Sequence, residues 1–542
     1  MKKLLVVFSL ISACSAYSLA CTNFMAGKDA TTDGNVYVTY AADSYSLFGF
    51  LRFQPAADHA EGEKRKIVDW DTGKPLGEIP QVAHTYSVVG NMNEHQLVIG
   101  ETTYGGREEL YGETGIDYGS LIYIALERCR TAREAIGCMT SLVKEYGYAS
   151  EGESFTIADT REVWILELIG KGKTEKGAVW AAARIPDDCI SAHANQARIT
   201  QIDFSDRKHA NWMWSEDVVK FARERGYFSG KDKDFSFSDT YNPLDFVGAY
   251  ICEARVWSFF NHFADVDKYY DYATGKGGER MPLYIRPDRK LSLRDMKICM
   301  RDQYEGTPLD ITQGTDAGPW HSKLRYGSLG FELDSVKYWY ERPIATQQTG
   351  WSFVAQIRPN VPDQVGGIFW FGVDDAATSM YVPMYCTIEA VPECFAEGNG
   401  DLYTYSSTSA FWAFNKVANW AYTKYSSMFP DIKKVQEQWD NYLENLTPAI
   451  EHSVAEMSPK DAKATLTQIC ANQAEAVTEA WNKLYEYLLV KYLDGQERKE
   501  TGAPINGRGL FKRNEWGEPV GPNRPPFPED FLRQIAPEVA HE

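Results

Sequence analysis

The stretch Ser18-Leu19-Ala20-Cys21 joins a cleavage signal to a nucleophilic residue. Ser18 and Ala20 are the small residues that a signal peptidase prefers, so a cut after Ala20 leaves Cys21 as the first residue of the mature chain. A terminal cysteine carries a thiol and a free α-amine whose pKa values both lie within about two units of neutrality. The amine can take the thiol proton and pass it to a leaving nitrogen, so this one residue can be both nucleophile and acid–base catalyst.

The residues before this cut predict export. Lys2 and Lys3 precede the apolar run 4–11, which is too short to span a bilayer, and no later run reaches 18 apolar residues. We therefore expect a periplasmic or extracellular protein with no integral membrane span. A second interpretation stays open, because Ile11-Ser12-Ala13-Cys14 resembles a bacterial lipidation box. A lipid anchor at Cys14 would leave Cys21 internal until a later cut.

Composition excludes several classes of function. The 542 residues carry a net charge of -19, which repels phosphate backbones, so nucleic-acid binding is not expected. The nine histidines are scattered, and the ten cysteines include no Cys-x-x-Cys pair, so no metal site is predicted. Phosphate-loop and Gly-x-Ser-x-Gly patterns are absent from the sequence, and we predict no cofactor. The cysteines other than Cys21 are expected to be mostly buried single thiols.

The elements that must position Cys21 follow from periodicity and turn residues. A strand at 21–28, a turn at 29–34 and a return strand at 35–41 form a hairpin that places Asp43, just past the return strand, near the level of Cys21. Residues 54–83 are expected to be loop. Further elements are a hairpin at 86–100, helices at 121–128 and after the capping box Thr131–Glu134, strands at 155–158, 163–168 and 179–184, strand-rich residues 303–395, and helices at 410–425, 432–451 and 459–492. This order predicts an α+β layered core.

Short motifs recur along the chain in a fixed order. They are Cys21-Thr22-Asn23-Phe24, Asp33-Gly34-Asn35, Asp43-Ser44, Met92-Asn93-Glu94-His95, Gly100-Glu101-Thr102-Thr103, 191–198, Ala254-Arg255-Val256-Trp257, 301–307 and Gly366-Gly367. Together they resemble the secernin-like cysteine dipeptidases of the dipeptidase A type. These are N-terminal-nucleophile hydrolases related to penicillin V acylase and bile-salt hydrolase. After the predicted signal peptide at 1–20, the resemblance implies a four-layer αββα hydrolase domain at 21–400 and a helical C-terminal extension with a Pro/Gly-rich tail at 401–542.

The same resemblance implies roles for individual residues. Cys21 would attack the carbonyl carbon, and Asp43 would orient its α-amine. Asn195 would donate its side-chain amide to the oxyanion, with a backbone N–H near Thr103 as partner donor. Arg255 would support the amine and its aspartate. Apart from the resemblance, the carboxylate of Glu101 is a candidate for binding a substrate ammonium.

Ordinary structural roles remain alternatives for these residues. Asp43 suits a turn, Asn195 a loop cap, Arg255 a helix salt bridge and Glu101 a solvated carboxylate, whereas His193 is expected to be structural. One departure concerns the electrostatics of the site. Relatives usually carry Arg-Asn shortly before the aspartate, and this chain has Tyr40-Ala41-Ala42 instead.

The sequence therefore predicts an exported cysteine dipeptidase that acts on small peptides through a thioester. An amidase acting on N-acyl amino acids or related amides is an alternative. A lipid-anchored surface binding protein whose aromatic residues line a groove is another. Assembly into a homo-oligomer is left open.

Overall fold

A computed structural model describes residues 21–325, 329–500, 511–515 and 527–536. The signal segment, Cys14 and most of the tail from residue 502 lie outside the described residues, so the predictions made for them stay predictions. No described helix is long and apolar enough to cross a membrane.

Most strands belong to two antiparallel sheets. The strands are β1 Asn23–Ala26, β2 Val36–Asp43, β3 Phe53–Gln54, β4 Ala57–Asp58, β5 Lys64–Val68, β6 Pro75–Pro80, β7 His84–Thr85, β8 Val88–Val89, β9 Met92–Asn93, β10 Val98–Gly105, β11 Gly152–Ala158, β12 Val163–Gly170, β13 Ala178–Ile185, β14 Ile190–His193, β15 Trp212–Trp214, β16 Tyr284–Ile285, β17 Gly330–Leu333, β18 Val336–Trp339, β19 Thr349–Ile357, β20 Ile368–Val373 and β21 Val382–Tyr385. The first sheet has seven strands in the order β16-β14-β1-β2-β19-β20-β21, and the second has eight in the order β15-β13-β12-β11-β10-β9-β8-β3. Small ribbons pair β4 with β7, β5 with β6 and β17 with β18.

Helices pack beside both sheets. They are α1 Tyr118–Arg128, α2 Ala132–Tyr146, α3 Val218–Glu224, α4 Phe237–Tyr241, α5 Ala254–Asn261, α6 Tyr270–Ala273, α7 Leu293–Met300, α8 Ala410–Tyr422, α9 Tyr425–Val454, α10 Pro459–Lys491 and α11 Glu529–Ile535. α1 and α2 contact the second sheet, whereas α5, α7, α8 and α10 contact the first. The predicted capping box is confirmed, because the Thr131 side chain accepts a hydrogen bond from the Glu134 backbone at the start of α2.

The two sheets also face each other. β2 and β1 contact β10, and the Asn23 side-chain amide donates to the Glu101 carbonyl oxygen at 2.6 Å. Neighbouring residues of β12 point to opposite sides, since Ile165 packs in the core between the sheets and Leu166 packs against α1 and α2. A Cβ atom at Gly100 would lie 2.2 Å from the Asn23 side-chain oxygen, so this close approach requires glycine. The observed architecture is thus α+β with a helical C-terminal region.

The loop predicted at 54–83 is wrong in part, because β5 and β6 form a ribbon there. Most of its residues are exposed, while Ile67 and Ile79 are buried on one side. The ribbon lies on the surface, so its strands carry charged and proline residues that hide the alternation. The strand predicted to end at Ala41 also continues, so Asp43 is the last residue of β2.

The C-terminal helices join the core around the first sheet. α10 packs on β21 and α8 on β20. A buried ion-pair cluster links α7 to α9, where Asp440 accepts from Lys297 at 3.2 Å and from Arg301 at 2.7 Å. Lys297 also lies 3.6 Å above the ring of Trp370 in β20, so the cluster ties both helices to the sheet.

Candidate active site

Cys21 lies directly before β1 and beside the end of β2. Thr22 and Ala41 exchange backbone hydrogen bonds, which brings Cys21 next to Asp43, as the hairpin predicts. The thiol is buried, with its sulfur 3.4 Å from the Tyr40 hydroxyl and 3.6 Å from a Glu101 carboxylate oxygen. Burial raises the pKa of the Cys21 thiol well above its usual range, and the carboxyls of Glu101 and Asp43 raise it further. The thiol is therefore neutral in this environment.

Arg255 connects the backbone of Cys21 to Asn195. Its Nη1 donates to the Cys21 carbonyl oxygen at 2.7 Å and to the Thr22 hydroxyl at 2.8 Å. Its Nη2 donates to the Ala194 carbonyl oxygen and to Asn195 Oδ1, both at 3.0 Å. The guanidinium is completely buried at the start of α5, which directly follows a π-helical turn, Gly248–Glu253. Single π-turns of this kind often occur at functional sites.

Asn195 and Thr103 lie together, as the resemblance implies. Because Asn195 Oδ1 accepts from Arg255, its Nδ2 is directed to the Thr103 carbonyl oxygen, to which it donates at 2.7 Å. The backbone of Asn195 is left-handed, with φ 66°, a conformation that asparagine tolerates better than most residues. The side-chain amide is thereby oriented by neighbours on both sides.

Buried charges hold the segment around Asn195. Arg198 pairs with Glu253 at 3.0 Å, and Glu167 accepts hydrogen bonds from the backbone of Arg198 and Ile199. His193 lies between the hydroxyls of Thr102 and Thr156, each 2.7 Å away. Burial lowers the pKa of His193 to about 3, so the ring is neutral and plays a structural role.

Asp43 is held by a residue that sequence reasoning missed. Its carboxylate accepts from Arg342 at 2.5 Å and from the Thr349 hydroxyl at 2.6 Å, and both Asp43 and Arg342 are fully buried. Among the described residues Arg255 forms no ion pair with Asp43, and it donates to Cys21, Thr22, Ala194 and Asn195 instead. Arg342 thus supplies a guanidinium to Asp43, although residues 40–42 of this chain contain no arginine. It is 299 residues away in sequence, and no motif marks it.

The Cys21 thiol lines a narrow pocket. The other lining residues are Tyr40, Ala42, Leu47, Trp70, Asp71, Glu101, Thr103, Tyr118 and Trp351. The lining includes two carboxyl side chains and neither lysine nor arginine, so the pocket favours a cation over an anion. Asp71 is exposed at the mouth and accepts from the Tyr118 hydroxyl at 2.9 Å.

Glu101 is the deep carboxyl of this pocket. It accepts a short hydrogen bond from the Tyr40 hydroxyl, and its buried carboxyl also lies within hydrogen-bonding reach of the Glu153 carboxyl. Glu153 lies nearby on the adjacent strand β11 and accepts from the Thr103 hydroxyl at 2.8 Å. Burial raises the pKa of Glu101 to about 7 and that of Glu153 well above its usual range. The two carboxyls therefore carry at most one negative charge between them near neutral pH.

The remaining thiols of the described residues do not line the Cys21 pocket, although Cys252 lies beside Arg255. All nine cysteines of the described residues are free, and all but Cys138 are buried. Within the same described ranges, no three His, Cys, Asp or Glu side chains are grouped closely enough to hold a metal ion.

Comparisons with known proteins place the chain among peptidases. The pattern that defines peptidase family C69 matches residues 58–438, a range that includes Asn195, Arg255 and Arg342 but begins after Cys21 and Asp43. A probable dipeptidase of Salmonella dublin is 26% identical over 391 residues, covering 68% of this chain and 81% of its own. A probable dipeptidase of Latilactobacillus sakei is 25% identical, covering 80% and 89%. Probable dipeptidase B of Streptococcus pyogenes serotype M1 is 24% identical, covering 86% and 93%.

The buried pair of Asp43 and Arg342 yields a stability prediction. Arg342→Gln leaves the Asp43 carboxylate buried without its guanidinium, which should lower the free energy of unfolding by about 3–5 kcal/mol. Arg286→Gln is the matched control, since Arg286 pairs with Asp188 in solvent and should contribute about 0–1 kcal/mol. Urea unfolding of both variants measures the difference. Equal losses of unfolding free energy in the two variants would show that the buried pair contributes no more to stability than the exposed pair does.

Proposed function

We propose that this chain, which belongs to peptidase family C69 and is a peptide-bond hydrolase, is a dipeptidase. Its nucleophile is the thiol of an N-terminal Cys21. The relatives named probable dipeptidase support the substrate class. The observation that carries the proposal is the place of the Cys21 sulfur, in an acidic pocket within 3.6 Å of the Glu101 carboxylate.

The fold suits this proposal. Two facing antiparallel sheets with helices packed beside each are the layers that an αββα N-terminal-nucleophile hydrolase requires. We assign that fold to the chain, with Cys21 directly before β1, between the two sheets.

The reaction begins with transfer of the thiol proton to the α-amine of Cys21. The sulfur then attacks the carbonyl carbon of the substrate, and the developing oxyanion takes hydrogen bonds from the Asn195 side chain and a backbone N–H near Thr103. Such a donor is worth about 3–4 kcal/mol of barrier. The ammonium of Cys21 protonates the leaving nitrogen, which breaks the C–N bond and leaves a thioester. A water molecule, deprotonated by the same amine, hydrolyses the thioester and regenerates the thiol.

Glu101 positions the substrate relative to the nucleophile by binding its α-ammonium. In a dipeptide, one Cα separates the attacked carbonyl carbon from the α-ammonium, so the group that binds the ammonium must lie close to the nucleophile. Glu101 meets this requirement, and Asp71 adds negative charge at the mouth. An N-acyl amino acid has no such ammonium and would leave the Glu101 carboxylate without a cationic partner.

Export and activation would be coupled. Cleavage after Ala20 removes the signal segment and creates the α-amine that the reaction needs. If Cys14 were lipidated instead, a second cut before Cys21 would be required.

Replacing the nucleophile tests the proposal. Cys21→Ala should abolish hydrolysis of dipeptides such as Ala-Leu while leaving the circular dichroism spectrum unchanged, because alanine fits the same buried position. Cys394→Ala is a matched control, since Cys394 is another buried free thiol outside the pocket, and it should keep wild-type turnover. Retained hydrolysis by the Cys21 variant would refute a thioester on this residue.

The role of Glu101 predicts a pH-dependent selectivity. The pKa of Glu101 is about 7, so the carboxyl loses its charge as the pH falls through 7 and should then bind an ammonium less well. The ratio of kcat/KM for Ala-Leu to that for N-acetyl-Ala-Leu should fall by up to about tenfold per pH unit below this point. Titration of the Cys21 amine changes kcat/KM for both substrates by the same factor, so it cancels in the ratio.

In Glu101→Gln the same ratio should be low and independent of pH. Glu108→Gln, a change at an exposed carboxylate, serves as the control and should behave as wild type. A selectivity that still falls with pH in Glu101→Gln, or a wild-type preference for the acetylated substrate, would contradict the assignment.

A further inference from the structure

A second, larger pocket adjoins the one that contains Cys21. The two share Leu47, Trp70 and Trp351 in their walls, and the second has a volume of about 310 Å³. The other residues that line it are Phe48, Phe50, Arg52, Val68, Asp69, Gly73, Gly90, Asn91, Tyr123 and Phe371. Most of this surface is aromatic or aliphatic, so the pocket suits an apolar group that enters beside the nucleophile.

Arg52 is the cation of this second pocket. Its guanidinium carbon lies 4.7 Å from the ring centre of Trp70 and 4.5 Å from that of Tyr123. The side chain is exposed, and no ion pair joins it to any carboxylate of the described residues. The guanidinium lies against this stacked pair of rings, and its N–H groups are suited to a carboxylate. The pocket's acid, Asp69, accepts instead from the backbone and hydroxyl of Thr72.

The covalent structure of a dipeptide determines which pocket can receive its ammonium and which can receive its carboxylate. The α-ammonium must lie near Cys21, and the acidic first pocket, with a volume of about 20 Å³, has room for about one water-sized group. The C-terminal carboxylate lies on the other side of the scissile bond, beyond one nitrogen and one Cα. An arginine that lines the adjoining pocket is therefore placed to receive it.

We propose that the second pocket is the binding site for the leaving amino acid of the substrate. Arg52 binds its free carboxylate, and the aromatic walls hold an apolar side chain. This inference rests on the proposed function and adds a substrate class: dipeptides with an apolar C-terminal residue. It also supplies a physical limit on length, because a third residue would carry the carboxylate away from Arg52.

Removal of the C-terminal charge tests the role of Arg52. Wild-type enzyme should hydrolyse Ala-Leu with a kcat/KM at least about tenfold above that for Ala-leucinamide, mainly through KM, because only the acid forms the charge-assisted hydrogen bonds. Arg52→Gln should bring this ratio close to one, and Arg52→Lys should restore part of it. Arg207→Gln, at an exposed arginine outside both pockets, should leave the ratio unchanged. Thermal unfolding of each variant checks that the fold is intact.

A substrate series tests the apolar walls. Among Ala-Xaa dipeptides, Leu and Phe should be preferred to Gly and Asp by about tenfold or more. An acid-to-amide ratio that is equal in wild type and Arg52→Gln would overturn the inference, as would a preference that follows the first residue instead of the second. Hydrolysis of no dipeptide at all would overturn the proposed function as well, so the two failures are distinguishable.

Discussion

The buried guanidinium of Arg255 is the constraint on which the site depends. A charge removed from water must have its hydrogen bonds satisfied by the protein, and here the partners come from three separate segments. They are the carbonyl oxygen of Ile251 one turn earlier, the backbone of Cys21 with the Thr22 hydroxyl, the Ala194 carbonyl oxygen and Asn195. Because one rigid group contacts all of them, the start of β1, the loop after β14 and α5 have fixed relative positions. Cys21, the proposed nucleophile, and Asn195, the proposed oxyanion donor, are thereby held together.

Charge is divided across the site in a way that matches a zwitterion. The pocket beside Cys21 holds Glu101 and Asp71, whereas the adjoining pocket holds Arg52 on an aromatic surface. The Asp43–Arg342 pair lies at the end of β2 and adds no net charge there. A small peptide with two charged ends fits this division better than an uncharged amide does, which favours the dipeptidase over the amidase alternative.

Local patterns made much of this predictable from sequence. The first hairpin, the capping box of α2 and the proximity of Cys21 to Asp43 follow from residues that are close in the chain, and membership of the peptidase family confirms the resemblance carried by the motifs. Arg342 and Glu153 were missed because their partners are fixed only by strand pairing between distant segments. The ribbon at Lys64–Val68 and Pro75–Pro80 was missed because it is exposed, so burial does not impose an apolar alternation on it. Arg52 lies in a stretch without any motif.

The proposal that Cys21 acts with its own amine can be tested by one extra residue. A chain that begins at Cys21 and a chain with a single alanine before Cys21 carry the same thiol, but only the first has an α-amine on the nucleophilic residue. The measurement is dipeptide turnover by the two chains, with the first residue of each confirmed by intact mass. The chain that begins at Cys21 should hydrolyse the dipeptide, and the extended chain should not. Equal turnover by both chains would show that the reaction does not need the α-amine of Cys21.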